Sequence, residues 1–338
     1  MIFQKMLLLA SLTLSVGMSK SSLVAADANK TAGNQGTAPN VSKLGDKSEG
    51  SSSAKALPTI RPALRVDQPN LGDICEAAPV VWQDRLALMK CRRPASGGTK
   101  ADYYLTLEDV ETGKELGRFA QGYSLASALV HQGTLHVFAS RFEPDGWNDV
   151  TKFKSKDLRS WQQKLVVKQE REHLFNSSVC AAPNGFVMAY ESDDPRWPAF
   201  TIKFATSTSL EDWAKVPDAL FGTNRYTACP CLRFANGYYY LLYLEHRTPR
   251  WFFETCLARS KDLKSWELSP TNPILTPGLD DGINASDPDI LEFRGQTCLY
   301  YSTGDQRTWS KLKRAVYSGP LAEFFTGCFR EAKQPPQR

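Results

Sequence analysis

From Glu76 to Tyr301 the apolar residues fall into short runs that come in pairs. Leu125–Val130 and Leu135–Ala139 flank Gln132-Gly133, and Phe175–Ala181 and Phe186–Tyr190 flank Asn184-Gly185. Tyr226–Phe234 and Tyr238–Leu244 flank Asn236-Gly237, and Asp287–Phe293 and Thr297–Tyr301 flank Arg294-Gly295. A polar residue and a glycine between two such runs signal a β-hairpin. Glu76–Trp82 and Leu86–Met89, around Asp84, make a fifth pair without the glycine. Further runs follow, as in Val150–Phe153, Phe200–Ala205 and Phe253–Ala258. The four glycines recur at intervals of 52, 52 and 58. Out of phase with them runs S-x-x-L-x-x-W, at Ser155–Trp161, Ser207–Trp213 and Ser260–Trp266, with its serines 52 and 53 apart. Two interleaved series with one period mean one supersecondary unit repeated. A period near that of four short strands is the signature of propeller blades. The pattern therefore predicts an all-β chain, a five-bladed β-propeller of four-stranded antiparallel blades filling residues 71–327. A sandwich would not explain the period. Pro79, Pro230 and Pro288 fall in the first strands of their hairpins. Proline is confined to edge strands, and a propeller's innermost strand is one.

Connectivity decides which loops share a face. First-strand starts and second-to-third loops meet at one mouth. The first group supplies Glu76, Asn176, Arg225, Tyr226, Asn284 and Asp287. The second carries its own repeat: Arg141 then Trp147, Glu191 then Trp197, Glu245 then Trp251, and Asp305 then Trp309. Asp149, His246, Arg247, Arg250 and Arg307 lie in or beside the same loops. Carboxylates, arginines and flat aromatic faces around a concave mouth suit a polyhydroxylated ligand. The S-x-x-L-x-x-W turns read as structural. Their Ser or Asp can bond nearby backbone, and their Trp can pack between blades.

Residues 1–26 read as an export signal. Lys5 precedes an apolar stretch too short to span a bilayer, and Val24-Ala25-Ala26 offers a cleavage site. Residues 27–57 are polar low-complexity linker, expected to be disordered, and residues 58–330 are the folded domain. These features predict a secreted or periplasmic protein with no membrane span. The net charge is +5, and about +3 without the leader, too small an excess for a nucleic-acid partner. Most of the eight cysteines sit in apolar runs and read as buried small side chains. Neither Cys229-Pro-Cys231 nor the four scattered histidines has metal-ligand spacing, and no nucleotide-binding glycine motif is present.

The blade count, the S-x-D-L-x-x-W turns at Ser155–Trp161 and Ser260–Trp266, and Asn284-Ala-Ser-Asp-Pro-Asp289 opening a blade resemble the five-bladed propeller glycoside hydrolases. That superfamily includes the arabinanases, xylosidases, invertases and levansucrases, and the likeness covers roughly residues 60–328. It implies three acids at the mouth, in the first, third and fourth blades, and a structural Ca²⁺ to which Asp287 or Asp289 could contribute. The match is partial: Glu76 stands where an Asp is usual, Asn176 replaces the acid of the third blade, and Ala228 that of the fourth.

The expected function is glycoside hydrolysis of a poly- or oligosaccharide by carboxylate acid/base chemistry. Glu245 is the expected general acid, following the apolar run Tyr238–Leu244. Glu76 or Asp287 is the expected base, and Glu191, the fourth carboxylate of the expected catalytic set, is expected to bind substrate. Substrate contacts are expected from Trp147, Trp197, Trp251 and Trp309 and from the polar groups named above. A carbohydrate-binding propeller without turnover and a glycoside phosphorylase are the alternatives, the latter using Arg225, Arg247, Arg250 and Arg307.

Overall fold

A computed structural model of the chain describes residues 62–94, 98–168, 170–197, 200–247, 252–305 and 308–330. The leader and linker read from the sequence lie outside them. Five four-stranded antiparallel sheets form the five blades of a propeller. The first blade is β2 (Ala77–Trp82), β3 (Arg85–Arg92), β4 (Tyr104–Asp109) and β5 (Glu115–Phe119). The second is β6 (Tyr123–His131), β7 (Thr134–Glu143), β8 (Gly146–Ser155) and β9 (Gln162–Val167). The third is β10 (Leu174–Ala182), β11 (Gly185–Ser192), β12 (Thr201–Ser207) and β13 (Ala214–Phe221). The fourth is β14 (Thr227–Ala235), β15 (Tyr238–Arg247), β16 (Phe252–Ser260) and β17 (Trp266–Leu268). The fifth holds β18 (Ser286–Phe293), β19 (Gln296–Gly304) and β20 (Ser310–Tyr317).

The fifth blade departs from the simple repeat. Its outer strand is β1 (Arg65–Gln68), from the other end of the chain, antiparallel to β20. After β20 the chain turns into a short helix, α1 (Leu321–Gly327). Borrowing β1 closes the ring and covers an edge that would otherwise invite foreign strands. Arg314 on β20 donates to both carboxylate oxygens of Asp67, at 2.9 and 2.6 Å.

Strands such as β7 and β11 are buried along most of their length, without the alternation of a one-faced sheet. Each blade packs a neighbour on both faces. The core accordingly divides into clusters between blades. Val80, Met89 and Leu107 meet Leu135 and Val137, and Phe204 and Phe221 meet Leu241 and Tyr243. The innermost strands β2, β6, β10, β14 and β18 adjoin one another around the axis, where the prolines were expected.

The S-x-x-L-x-x-W turn now has a mechanism. Ser155 Oγ accepts the Leu158 N–H at 2.9 Å, and Asp157 accepts those of Arg159 and Ser160 at 2.9 and 2.8 Å. The leucine takes a left-handed backbone (φ 61° at Leu158, 63° at Leu210, 65° at Leu263), which drops its side chain into the core. The Trp then folds onto the preceding blade. Trp161 stacks on Phe119 at 3.6 Å, Trp266 on Phe204 at 5.4 Å, and Trp213 meets Phe138 edge-on.

The glycine series hides one shift. Gly133, Gly237 and Gly295 are second residues of two-residue loops, with φ of 69°, 77° and 74°. Gly185 is not in its loop. It pairs with Ala182, so the loop is Pro183-Asn184 and the second strand of the third blade begins one residue early.

Candidate active site

Counting back from each hairpin finds one residue per blade at the same place on the axis. The sixth residue before the last inner-strand partner is Glu76, Leu125, Asn176, Cys229 or Asp287. In blades two to five a β-bulge sits here, breaking the register between Ser124 and Ser127, Leu174 and Ser177, Ala228 and Cys231, and Ser286 and Asp289. Bulges re-aim side chains and cluster near active sites. Leu125, Cys229 and Asp287 are held at φ of 56°, 50° and 50°.

These side chains form a connected arc. Asn176 Nδ2 approaches Cys229 Sγ at 3.5 Å, and Cys229 Sγ donates to Asp287 Oδ1 at 3.1 Å. Carboxyl oxygens of Glu76 and Asp287 and the thiol of Cys75 all lie within 4.8 Å of one another. Asp287 also accepts the Ser286 hydroxyl at 2.6 Å and the Cys75 thiol at 3.7 Å. Glu191 reaches in from the second strand of the third blade. Its Oε2 accepts the Cys229 N–H at 2.8 Å and the Asn176 amide at 3.2 Å. Arg93, from the loop after β3, pairs with Glu76 Oε1 at 3.2 Å.

Burial dominates the electrostatics. It pushes the Glu191 carboxyl up to about 8, where the hydrogen bonds from Cys229 and Asn176 oppose it and the charges of Asp287 and Glu76 add to it. Burial likewise pushes Glu76 up to about 7, opposed by Arg93 and helped by Asp287. The Cys229 thiol is held neutral, well above its ordinary range, by burial and the Asp287 charge. At neutral pH the mouth thus holds a protonated Glu191 and, paired with Arg93, a Glu76 poised between its two forms, beside a third carboxyl that collects hydrogen-bond donors.

Solved structures with this architecture are numerous. A glycoside hydrolase superposes over 83% of this chain and 96% of its own, at 15% identity and a TM-score of 0.57. The fold is that of the five-bladed propeller glycoside hydrolases. An exo-1,5-α-L-arabinanase from a bovine ruminal metagenomic library matches at 13% identity over 75% of this chain and 95% of that one, with a TM-score of 0.52. An α-L-arabinanase of Cellvibrio cellulosa does so at 12%, over 72% and 91%, with a TM-score of 0.51. At such identities the likeness speaks for the fold alone. No protein-family model matches the sequence, and no curated protein does.

Within this five-bladed propeller, the residues named from the sequence divide. Glu76, Asn176, Glu191 and Asp287 meet on the axis, with Tyr226 beside them, packed edge-on to Phe200 at 5.5 Å. Glu245 is engaged elsewhere, by Arg225 Nε and the Tyr243 hydroxyl, each at 3.5 Å. The one-residue shift at Gly185 explains the difference. Arg141 and Glu245 hold the same ladder position and face the preceding blade, whereas Glu191 lies one residue nearer its hairpin and faces the next. The charge-to-Trp repeat is thus not a repeat of equivalent positions. Trp147 is 5% exposed and packs edge-on against Tyr103 and Phe142. Asn284 is fully buried and donates to the Gly304 carbonyl at 2.8 Å. Asp149 pairs with Arg141 at 2.8 Å, and Asp305 caps a turn through Thr308. His246, its pKa lowered by burial, lies 5.5 Å from the Phe253 ring. Trp197 is half-buried with Arg196 at 5.9 Å, and Trp309 is 39% exposed. The Arg247 side chain, Arg250, Trp251 and Arg307 lie outside the described residues.

Cys75, Cys229 and Arg93 did not emerge from the sequence as site residues. Counting back from the hairpins would have marked Cys229. The implied Ca²⁺ does not fit this mouth, because calcium takes about six to eight oxygen ligands. Asp289 is committed to Arg233, and the groups around Asp287 include two thiols.

Proposed function

We propose that this chain is a glycoside hydrolase working on a poly- or oligosaccharide at the propeller mouth, with Glu191 as proton donor and Asp287 as the ionised partner. The observation that carries this reading is that both carboxyls touch one residue, Cys229, Glu191 at its N–H and Asp287 at its thiol. That bridge keeps them within about 10 Å, the span of carboxyl pairs that cleave glycosidic bonds. A carboxyl held near pH 8 by burial still carries its proton at neutrality and can give it to a departing sugar oxygen. Asp287, with three donors fixing its orientation, assists a water or the anomeric carbon on the other side. Glu76 and Arg93 form a charged pair suited to hydroxyl recognition. This assigns proton donation to Glu191 in place of Glu245. Export is consistent with the leader read over residues 1–26 and with the absence, among the described residues, of a helix able to cross a membrane.

The test is sugar release from arabinan, xylan and fructan and their oligosaccharides. On the substrate that is cleaved, Glu191→Gln and Asp287→Asn should each lower kcat about 10²–10⁴-fold, while Glu245→Gln keeps most of it. Near wild-type rates in the first two variants would sink the assignment. Glycan binding without turnover is a second reading, favoured by Leu125, Asn176 and Cys229, axial positions with no carboxyl. Glycan-array binding with no product on long incubation would favour it.

A further inference from the structure

The arc holds a group of atoms that the hydrolytic reading does not require together. Cys75 Sγ and one carboxyl oxygen each from Glu76 and Asp287 lie within 4.8 Å of one another. Cys75 and Glu76 are chain neighbours, and they can aim at one point because the chain bends there, just before β2. Glu76 is 8% exposed. Its Oε1 faces Arg93, while its Oε2 is buried with no hydrogen-bond partner among the described residues. A buried carboxyl oxygen without a partner costs free energy unless something fills the place.

We propose that Cys75, Glu76 and Asp287 bind a thiophilic divalent cation of the Zn²⁺ class. A thiolate and two carboxylates are each donors that zinc takes, the thiolate selecting it over harder divalent ions, and three protein ligands leave a fourth position for water. Binding exchanges the Cys75 S–H bond for an S–Zn bond and releases the proton to solvent. Charge then balances locally, because the thiolate and two carboxylates offset the metal's two charges and the Arg93 guanidinium. An outer shell is already built. The Ser302 hydroxyl points at Cys75 Sγ at 3.6 Å, the Ser286 hydroxyl at Asp287 at 2.6 Å, and Arg93 at Glu76.

The inference does not rest on glycan turnover, and its test uses no glycan. The purified full chain, stripped with chelator, is dialysed against limiting Zn²⁺ and counted by elemental analysis. Co²⁺ is then titrated in to look for thiolate-to-metal charge-transfer absorption. One equivalent of zinc per chain and a charge-transfer band are expected. Cys75→Ser should remove the band and weaken zinc binding about tenfold or more, whereas Cys298→Ser, at a buried thiol of β19 outside the cluster, should keep both. Asp287→Asn, checked for an unchanged melting temperature, gives a second variant with the same expected weakening. No stoichiometric zinc in the wild type, or full zinc and an intact band in Cys75→Ser, overturns the proposal.

Discussion

Replacing Glu191 with Gln should change how stability depends on pH. Unfolded, the carboxyl titrates near 4.5, and folded, near 8, chiefly because it is buried. Between those values the native state holds a proton that the unfolded state has lost, so raising the pH favours unfolding. The loss begins above pH 4.5 and is complete once the pH passes 8. Each unit of difference is worth about 1.4 kcal/mol, so ionising Glu191 in the native state costs roughly 4–5 kcal/mol by pH 9. Gln has nearly the same shape, and its carbonyl can still accept the Cys229 N–H now held at 2.8 Å. It never ionises. Glu76 shifts in the same direction but is common to both proteins, so the difference between them isolates Glu191. The assay is urea unfolding of wild type and Glu191→Gln at intervals from pH 5 to pH 9, with reductant present and linear extrapolation at each point. The variant should gain on wild type by roughly 4 kcal/mol across that range. A difference that stays flat within about 1 kcal/mol would show that water or rearrangement solvates the carboxylate, and the proton-donor role would fall with it.

Two further outcomes test the architecture. Gly185→Ala should cost about 3 kcal/mol or more, because at φ 123° a Cβ would lie 2.3 Å from the Ser207 carbonyl oxygen. Gly133→Ala, at φ 69° with nothing within 4 Å of a Cβ, should cost about 1–2 kcal/mol by the same unfolding assay; equal costs would contradict the shifted hairpin. Trp266→Ala should lose about 3 kcal/mol, as its ring spans Phe204 and Phe221 of the preceding blade. Trp309→Ala, 39% exposed, should change unfolding by about 0.5 kcal/mol or less, so similar losses in both would count against the turn Trp as an inter-blade clamp.

The blades were legible because each is built from local chemistry. A polar–Gly loop, two apolar runs and a serine-capped turn are short-range signals, and their period survives small insertions. The mouth was legible only in part, because its residues are related by position and not by type. Glu76, Leu125, Asn176, Cys229 and Asp287 share one place in their blades and no chemistry, and they lie 49, 51, 53 and 58 residues apart. The glycine series seemed to supply the alignment, yet Gly185 stands one residue out of step, and a one-residue slip turns a strand's side chains to the other face. The cluster of Cys75 with Asp287 spans 212 residues and has no spacing to read.

The corrected register also explains why Glu191 carries so much. Counted from the hairpins, its position corresponds to Cys91, Ser140, Leu244 and Ser302. Cys91 accepts the Ala126 N–H at 3.5 Å, Ser140 donates to the Phe175 carbonyl at 2.6 Å, and Ser302 points at Cys75. In each case a second-strand side chain steadies the start of the next blade's inner strand. Glu191 makes the same contact with Cys229, but as a carboxyl in a buried place. A scaffold position has thereby become the most strongly perturbed acid at the mouth. Gln, which can keep the contact and loses only the proton chemistry, separates the two roles.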